Sequence, residues 1–432
     1  MCKKIPWRVW IIVMIFWGSF VNYMFRSHYQ ISLLAMMEPR KNETVRDFGP
    51  RFNWSYDWEQ QSISALFYGL TIISLPASLF VRWFGPWHVL FWSTIIMAIT
   101  SDIIVPIANH VGPEGVFTMR FIVGIMAGLQ HPGMHKLVNN WSPRRRKGRF
   151  MSCYMGNAFG SILTIPVTSL IIEELGWSWS FYYLTIVAVL FCAAFFLLVA
   201  DEPSNHRWIR QEDLEITDTP QEETMNTSSE KGKPPYWSMI ASSSFWAVVV
   251  AHFGNQFNLH LTLTTVPQFL KRKLQFSLKK TAGVAALLHL AGFLLGCPYG
   301  VIHNWLLKRG ASKKICGTLF TFVHSAVYSV WFLVVMMLFN GVAVASVLAN
   351  PEDLTTNWQE TIYNTMNFFG NCGGFIGPIL VSKLTEENTN EGWGLVFFTG
   401  GLLSILTGIF FRYFAEFETQ DWNEHRRNAQ NN

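Results

Sequence analysis

Apolar residues in this chain come in blocks of about twenty, separated by short polar turns. A helix needs roughly 20 apolar residues to cross the hydrocarbon core of a bilayer. The blocks predict spans at Val9–Leu34, Gln60–Val81, His88–Ile107, Val116–Val138, Cys153–Ile172 and Trp179–Val199. A polar stretch follows, and six more blocks come after it. These are Ser243–Pro267, Ala282–Leu306, Cys316–Val330, Phe332–Ala349, Tyr363–Val381 and Gly394–Phe414. The pattern therefore predicts twelve helices in two sets of six. Only 39 residues run from Ser312 to Asn350, so helices 9 and 10 are expected to be short. A chain of eleven spans with one long tilted helix there is the alternative. The first block is too long for a cleaved signal and has no small-residue site after it, so it reads as a retained helix.

Composition narrows the class. Half of the residues are hydrophobic (50%) and only 14% are charged, against about 25% in soluble domains. Disorder, collagen, coiled coil and nucleic-acid binding are excluded on that basis. The net charge of +5 lies in loops, where it reports orientation rather than a polyanionic partner. With both termini in the cytosol, 21 of the 33 basic residues fall on the cytosolic side. Arg144, Arg145, Arg146, Lys147 and Arg149 give the strongest signal. Lys271, Arg272, Lys273, Lys279 and Lys280 run against it. Asn42-Glu43-Thr44 and Asn53-Trp54-Ser55 are glycosylation sequons in the first outer loop, so Asn42 and Asn53 are candidate glycan sites. The same pattern at Asn140 and Asn226 falls on the cytosolic side and is chance. Six scattered cysteines show no metal or disulfide spacing. No Walker, GxSxG or HExxH motif is present, so an enzyme is not expected.

The expected organisation is a six-helix bundle over 1–200, a cytosolic linker over 201–240, a second bundle over 241–416 and a cytosolic tail over 417–432. Weak repetition supports two halves. Val81-Arg82-Trp83-Phe84-Gly85 and the segment Gly300 to Gly310 put basic residues and glycine at the same turn of each half. Paired halves suggest a transporter with its site at the midplane.

Several segments carry a family resemblance. Met119-Arg120-Phe121-Ile122-Val123-Gly124 leads to His131-Pro132-Gly133-Met134-His135, then Trp141-Ser142-Pro143 and a basic cluster. Asn22-Tyr23-Met24-Phe25-Arg26, His206-Arg207-Trp208-Ile209 and Asn350-Pro351-Glu352-Asp353-Leu354 add to it. These resemble the anion-transporting branch of the major facilitator superfamily, which holds sialin, the vesicular glutamate transporters and the type I phosphate transporters. The resemblance implies an all-α membrane protein of the major facilitator fold. Residues Ala251 to Phe257 look nearer to sialin, because the glutamate carriers have an arginine where this chain has Asn255. There are departures. Ala127 stands where the family has a glutamate linked to proton coupling, Arg146-Lys147 replaces Glu-Arg, and Asn304 replaces an aspartate.

An arginine inside a span costs at least about 2.5–3.5 kcal/mol on insertion scales. Arg26 and Arg120 are two such residues. They are expected to pair with a carboxylate or phosphate, with snorkelling as the alternative. Tyr23 and Asn255 join them as candidate substrate contacts, with an interhelical hydrogen bond as the slightly favoured alternative for Asn255. At 100° per residue, Ala127 and His131 fall within about 20° of Arg120, and His135 within about 60°. His135 is the candidate proton carrier, since a histidine titrates between about pH 5 and 8, with a helix-packing histidine as the equal alternative. For His131 helix packing is the leading reading. Gly370, Gly373, Gly374 and Gly377 form small-xxx-small patterns that suit close helix approach.

These readings predict a secondary active transporter of a small anion, sialic-acid-like, an acidic amino acid or phosphate, working by alternating access. The resemblance implies coupling to H+, Na+ or membrane potential, with no metal and no bound cofactor. The expected partners are the substrate and the lipid bilayer, without nucleic acid, and the expected state is a monomer. A lysosomal, vesicular or plasma membrane fits. The competing class is a non-transporting receptor or scaffold on the same fold.

Overall fold

The computed structural model describes residues 7–38, 49–141, 152–207, 234–308, 347, 350–351, 353–355 and 357–424. Among these the chain is helical and strand-free. The helices are α1 (Trp7–Met37), α2 (Tyr56–Ser74), α3 (Ala77–Phe84), α4 (Pro86–His110), α5 (Pro113–Trp141), α6 (Gly156–Leu175) and α7 (Trp179–Leu198). After the linker come α8 (Tyr236–Ala241), α9 (Ser243–Gln268), α10 (Leu278–Lys308), α11 (Gln359–Thr385) and α12 (Asn390–Phe414). Each apolar block in the described residues became a helix, the second one split into α2 and α3. Asn42, Arg144 to Arg149, and almost all of the ninth and tenth spans lie outside the described residues.

Among the described residues, five helical stretches are long and apolar enough to cross a bilayer, or six if α2 and α3 count as one broken span. The longer helices outside that set bury polar groups instead. α5 holds Arg120 and Gln130, and α9 holds His252, Asn255, Asn258, His260 and Gln268, all buried. A helix that lines an interior spends apolar length on polar chemistry.

The chain forms two compact units. One comprises Met1–Asn53 and Leu75–Lys233, the other Trp54–Ser74 and Pro234–Asn432. Helix α2, early in the sequence, thus belongs with the later helices.

In the first unit, α1 packs against α5, α6 and α7. Its approach to α6 is very close. A Cβ at Gly156 would strike the Phe16 carbonyl, and one at Gly160 would sit 2.6 Å from the Phe20 oxygen and 2.9 Å from Tyr23 Cβ. Two glycines four residues apart make one small face, which lets the backbones meet. The segment after α7 closes one end. Asp201 accepts from Trp87 N at 2.7 Å and so caps α4 from a distance of 114 residues in sequence. Gly85 precedes that cap with φ +80, and a Cβ there would meet the Asp201 carboxylate at 3.0 Å. Only glycine suits both demands.

In the second unit, α9 packs against α11 and α12. A Cβ at Gly373 would lie 2.8 Å from Phe257 Cα, and one at Gly374 would collide with the Phe67 ring. Gly377 is looser, with Leu261 at 3.6 Å. Asn258 donates to Ser404 at 2.7 Å and ties α9 to α12. The segment after α12 folds back as its counterpart does in the first unit. Asn350 donates to the Glu416 carbonyl at 2.9 Å, and Gln420 N donates to the Leu354 carbonyl at 3.0 Å.

Candidate functional site

Polar groups concentrate in the first unit where α1, α5 and α4 meet. Asn22 donates to the Ala127 carbonyl at 2.9 Å and to Gln130 Oε1 at 2.8 Å. Gln130 donates onward to Thr94 at 2.8 Å. The network holds α1 in register with α5 and turns the next helical step, Arg26, toward the same carbonyl. Arg26 Nη2 lies 3.5 Å from the Ala127 oxygen, and its guanidinium rides over the Tyr23 ring at 4.9 Å. Tyr23 is itself pinned by Gly160. One turn further on, Arg120 donates to the Phe25 carbonyl at 3.2 Å and covers the Tyr29 ring at 4.1 Å.

Both arginines are buried, Arg26 at 7% and Arg120 at 0% exposure, so neither snorkels. Carbonyl oxygens and aromatic faces are weak partners for a guanidinium. Arg26 Nε and Arg120 Nε and Nη2 have no acceptor. Among the described residues, neither arginine meets a carboxylate within ion-pair distance. Where the resemblance expects a glutamate, Ala127 offers only its backbone oxygen. Such a pair of cations suits a small anion, because a fork of N–H donors matches carboxylate or phosphate oxygens.

His131 and His135 stack on Tyr154. The ring centroids are 5.8 Å apart for His131–Tyr154 and 4.8 Å for His135–Tyr154. All three are half-buried. Asn255 is buried at 3% in the second unit, on the helix that turns His252 and Gln256 against Gly370. Arg26, Arg120, Tyr23 and His135 therefore share the first unit, and Asn255 belongs to the second. Asn53 is exposed, as a sequon requires.

Sequence reasoning missed three features. The first is the Gly156–Gly160 pair, visible as the same small-xxx-small pattern noted for 370–377. The second is the Asn22–Gln130–Thr94 network, which has no sequence signal. The third lies at the N-terminal end of α2. Glu59 forms an ion pair with Arg272, in the π turn Phe269–Lys273 after α9. Arg272 also covers the Tyr56 ring at 4.3 Å. Gln60 and Gln268 exchange amide hydrogen bonds at 2.6 and 3.3 Å. Tyr56 bonds Thr385 at 2.6 Å, and Ser382 donates to Asp57. The basic run Lys271-Arg272-Lys273, which ran against the charge rule, thus has a structural partner.

Two of the resembling segments meet in space. The Trp141 and His206 rings stand edge to face at 5.5 Å, and Trp141 Nε1 donates to the Ala200 carbonyl at 2.9 Å.

The solved structures like this one are membrane transporters. The E. coli xylose transporter in its inward-open conformation matches with a TM-score of 0.68 and 14% identity, covering 98% of this chain and 99% of that one. A bacterial homolog of the human lysosomal transporter Spinster, inward-facing and unoccupied, matches at 0.61 with 12% identity, covering 96% and 97%. These likenesses show the fold, the all-α architecture of major facilitator transporters. The model of the Major Facilitator Superfamily matches residues 15–378, and the chain belongs to that family. Its relatives include human sialin, 22% identical over 455 residues, covering 96% of this chain and 91% of that protein. Human vesicular glutamate transporter 2 is 24% identical over 446 residues, covering 98% and 76%. The chain is thus a multi-pass membrane protein of the Major Facilitator Superfamily.

Proposed function

We propose that this protein is a secondary active transporter of a small anion, with a sialic-acid-like molecule, an acidic amino acid or phosphate as the substrate classes. The observation that carries the reading is the pair of buried arginines, Arg26 and Arg120, which meet no carboxylate among the described residues. A bound anion supplies the charge that the protein withholds. Tyr23 shapes the Arg26 side of the site, and Asn255 on α9 is a further candidate substrate contact. Sialin and the vesicular glutamate transporters among its relatives support this class. Coupling runs on H+, Na+ or membrane potential, and His135 is the candidate group for a proton. Along the sequence the two six-helix halves are residues 1–200 and 241–416, joined by a cytosolic linker, with α2 of the earlier half packed in the second compact unit. Both termini face the cytosol, the protein works as a monomer, and its membrane is lysosomal, vesicular or plasma.

The test is uptake into liposomes that contain the purified protein. Labelled sialic acid, glutamate and phosphate are offered under a proton gradient, a sodium gradient and a voltage in turn. One anion moving under one gradient is the expected result. No movement of any of them, beside a working sialin control, overturns transport of these classes. Tag accessibility tests the topology, which predicts both termini on the cytosolic side.

A further inference from the structure

Among the described residues, Glu59 is the one acidic side chain that is buried, at 1% exposure. One carboxylate oxygen meets Arg272, and the other, Oε1, has no hydrogen-bond partner. An ion held this way is incompletely satisfied. Burial of a carboxylate is costly, and a single partner that is itself 34% exposed offsets only part of that cost. Taking up a proton removes the charge at this position without moving a heavy atom.

The surroundings limit what else can titrate there. On α2 itself the neighbours are Tyr56 and Asp57, the latter held by Ser382. The π turn brings Arg272, flanked in sequence by Lys271 and Lys273, and Lys273 donates to the Asn388 carbonyl at 2.9 Å. α9 brings Gln268, and α11 brings Ser382 and Thr385, all neutral. Lys383 and Glu386 near the same end of α11 are exposed. The contacts that bind α2 to α9 and α11 here are thus neutral or exposed, save one. The Glu59–Arg272 pair is the buried charged bond in the clasp. Protonation of Glu59 breaks that bond and leaves Arg272 to solvent, while Gln60–Gln268 and Tyr56–Thr385 remain.

We propose that Glu59 is a proton-coupling residue of this transporter, taking a proton from water when α2 loosens from Arg272 and returning it when the clasp reforms. This rests on the transport reading above. It differs from the role of His135, because Glu59 couples through the hold on α2 and not through contact with the substrate. Proton occupancy and the position of α2 then share one free energy, which is the requirement for coupling.

The test uses the full chain in liposomes, with labelled sialic acid and glutamate as probes. Two quantities are read: counterflow at equal pH, and accumulation under a pH gradient. A one-unit gradient coupled to one proton sustains about tenfold accumulation. Glu59→Gln is expected to abolish that accumulation and keep counterflow, while Glu59→Asp restores accumulation. Accumulation by Glu59→Gln at the wild-type level overturns the proposal. So does loss of accumulation confined to His135→Gln. A second measurement needs no variant. An apolar carbodiimide modifies buried protonated carboxyl groups, and mass spectrometry of the wild-type protein reads its attachment at Glu59. Labelling that rises on acidification supports the proposal, and absent or pH-independent labelling overturns it. Failure of wild-type counterflow for both anions counts against the transport reading, and the carbodiimide result then decides only whether Glu59 takes up a proton.

Discussion

Two arginine environments stand side by side in this molecule. In the first unit, Arg26 and Arg120 are buried against carbonyl oxygens and aromatic rings. In the second unit, Arg272 is a third exposed, lies over Tyr56 and is paired with Glu59. The side chains are chemically identical, and their use differs because of what faces them. A guanidinium with its own carboxylate is satisfied and acts as a clasp. A guanidinium without one keeps donors free for an anion that comes and goes. On the proposed reading, an intramembrane cation points to a binding site when its counter-ion is missing, not merely when the cation is present.

The comparison can be broken at its strong end first. Arg26→Ala is expected to lower anion uptake by about ten- to a hundredfold, the worth of a charged hydrogen bond of roughly 1.5–3 kcal/mol. Uptake normalised to membrane expression checks it, and wild-type transport by Arg26→Ala would remove the binding role. Arg272→Met is expected to act on stability instead. It strands the Glu59 carboxylate and costs about 2 kcal/mol, less than a fully buried pair because Arg272 reaches solvent. The double variant Glu59→Gln with Arg272→Gln should recover most of that loss in thermal unfolding in detergent. No recovery would mean that the pair is not the source.

Gly160→Ala sharpens the first half of the comparison. The added methyl meets Phe20 and Tyr23 and is expected to cost about 1–2 kcal/mol through overpacking. It should also weaken uptake, since Tyr23 sits against the Arg26 guanidinium. Normal uptake with lowered stability would separate packing from binding. The smallest effect is expected at Asn255. Asn255→Ala removes an amide worth roughly 0.6 kcal/mol between helices, so KM should shift less than about threefold. A much larger shift would make Asn255 a direct substrate contact of the first rank.

Much of the fold was legible because the apolar period is long and the charges are few. Each described apolar block became a helix, and the glycines at 370, 373 and 374 do bring α11 onto its neighbours. The candidate arginines were legible for the same reason: a charge inside an apolar run stands out. What stayed hidden was pairing. Nothing in the string Tyr56-Asp57-Trp58-Glu59 says that an arginine 213 residues later will meet it. Gly156 and Gly160 carried a pattern that was readable and went unread.

The sequence alone settled which of the described segments are helical, that the chain belongs in a bilayer, and where unusual charges lie. These are local properties, set by hydrophobic length and by the cost of a charge in lipid. The tertiary structure decided which cations have counter-ions and which do not. It also decided that α2 joins the second unit, and that Ala127 presents a carbonyl to Arg26. These outcomes depend on contacts between residues about 100 or more positions apart. Such contacts are chosen by packing of whole helices, and no local pattern encodes them.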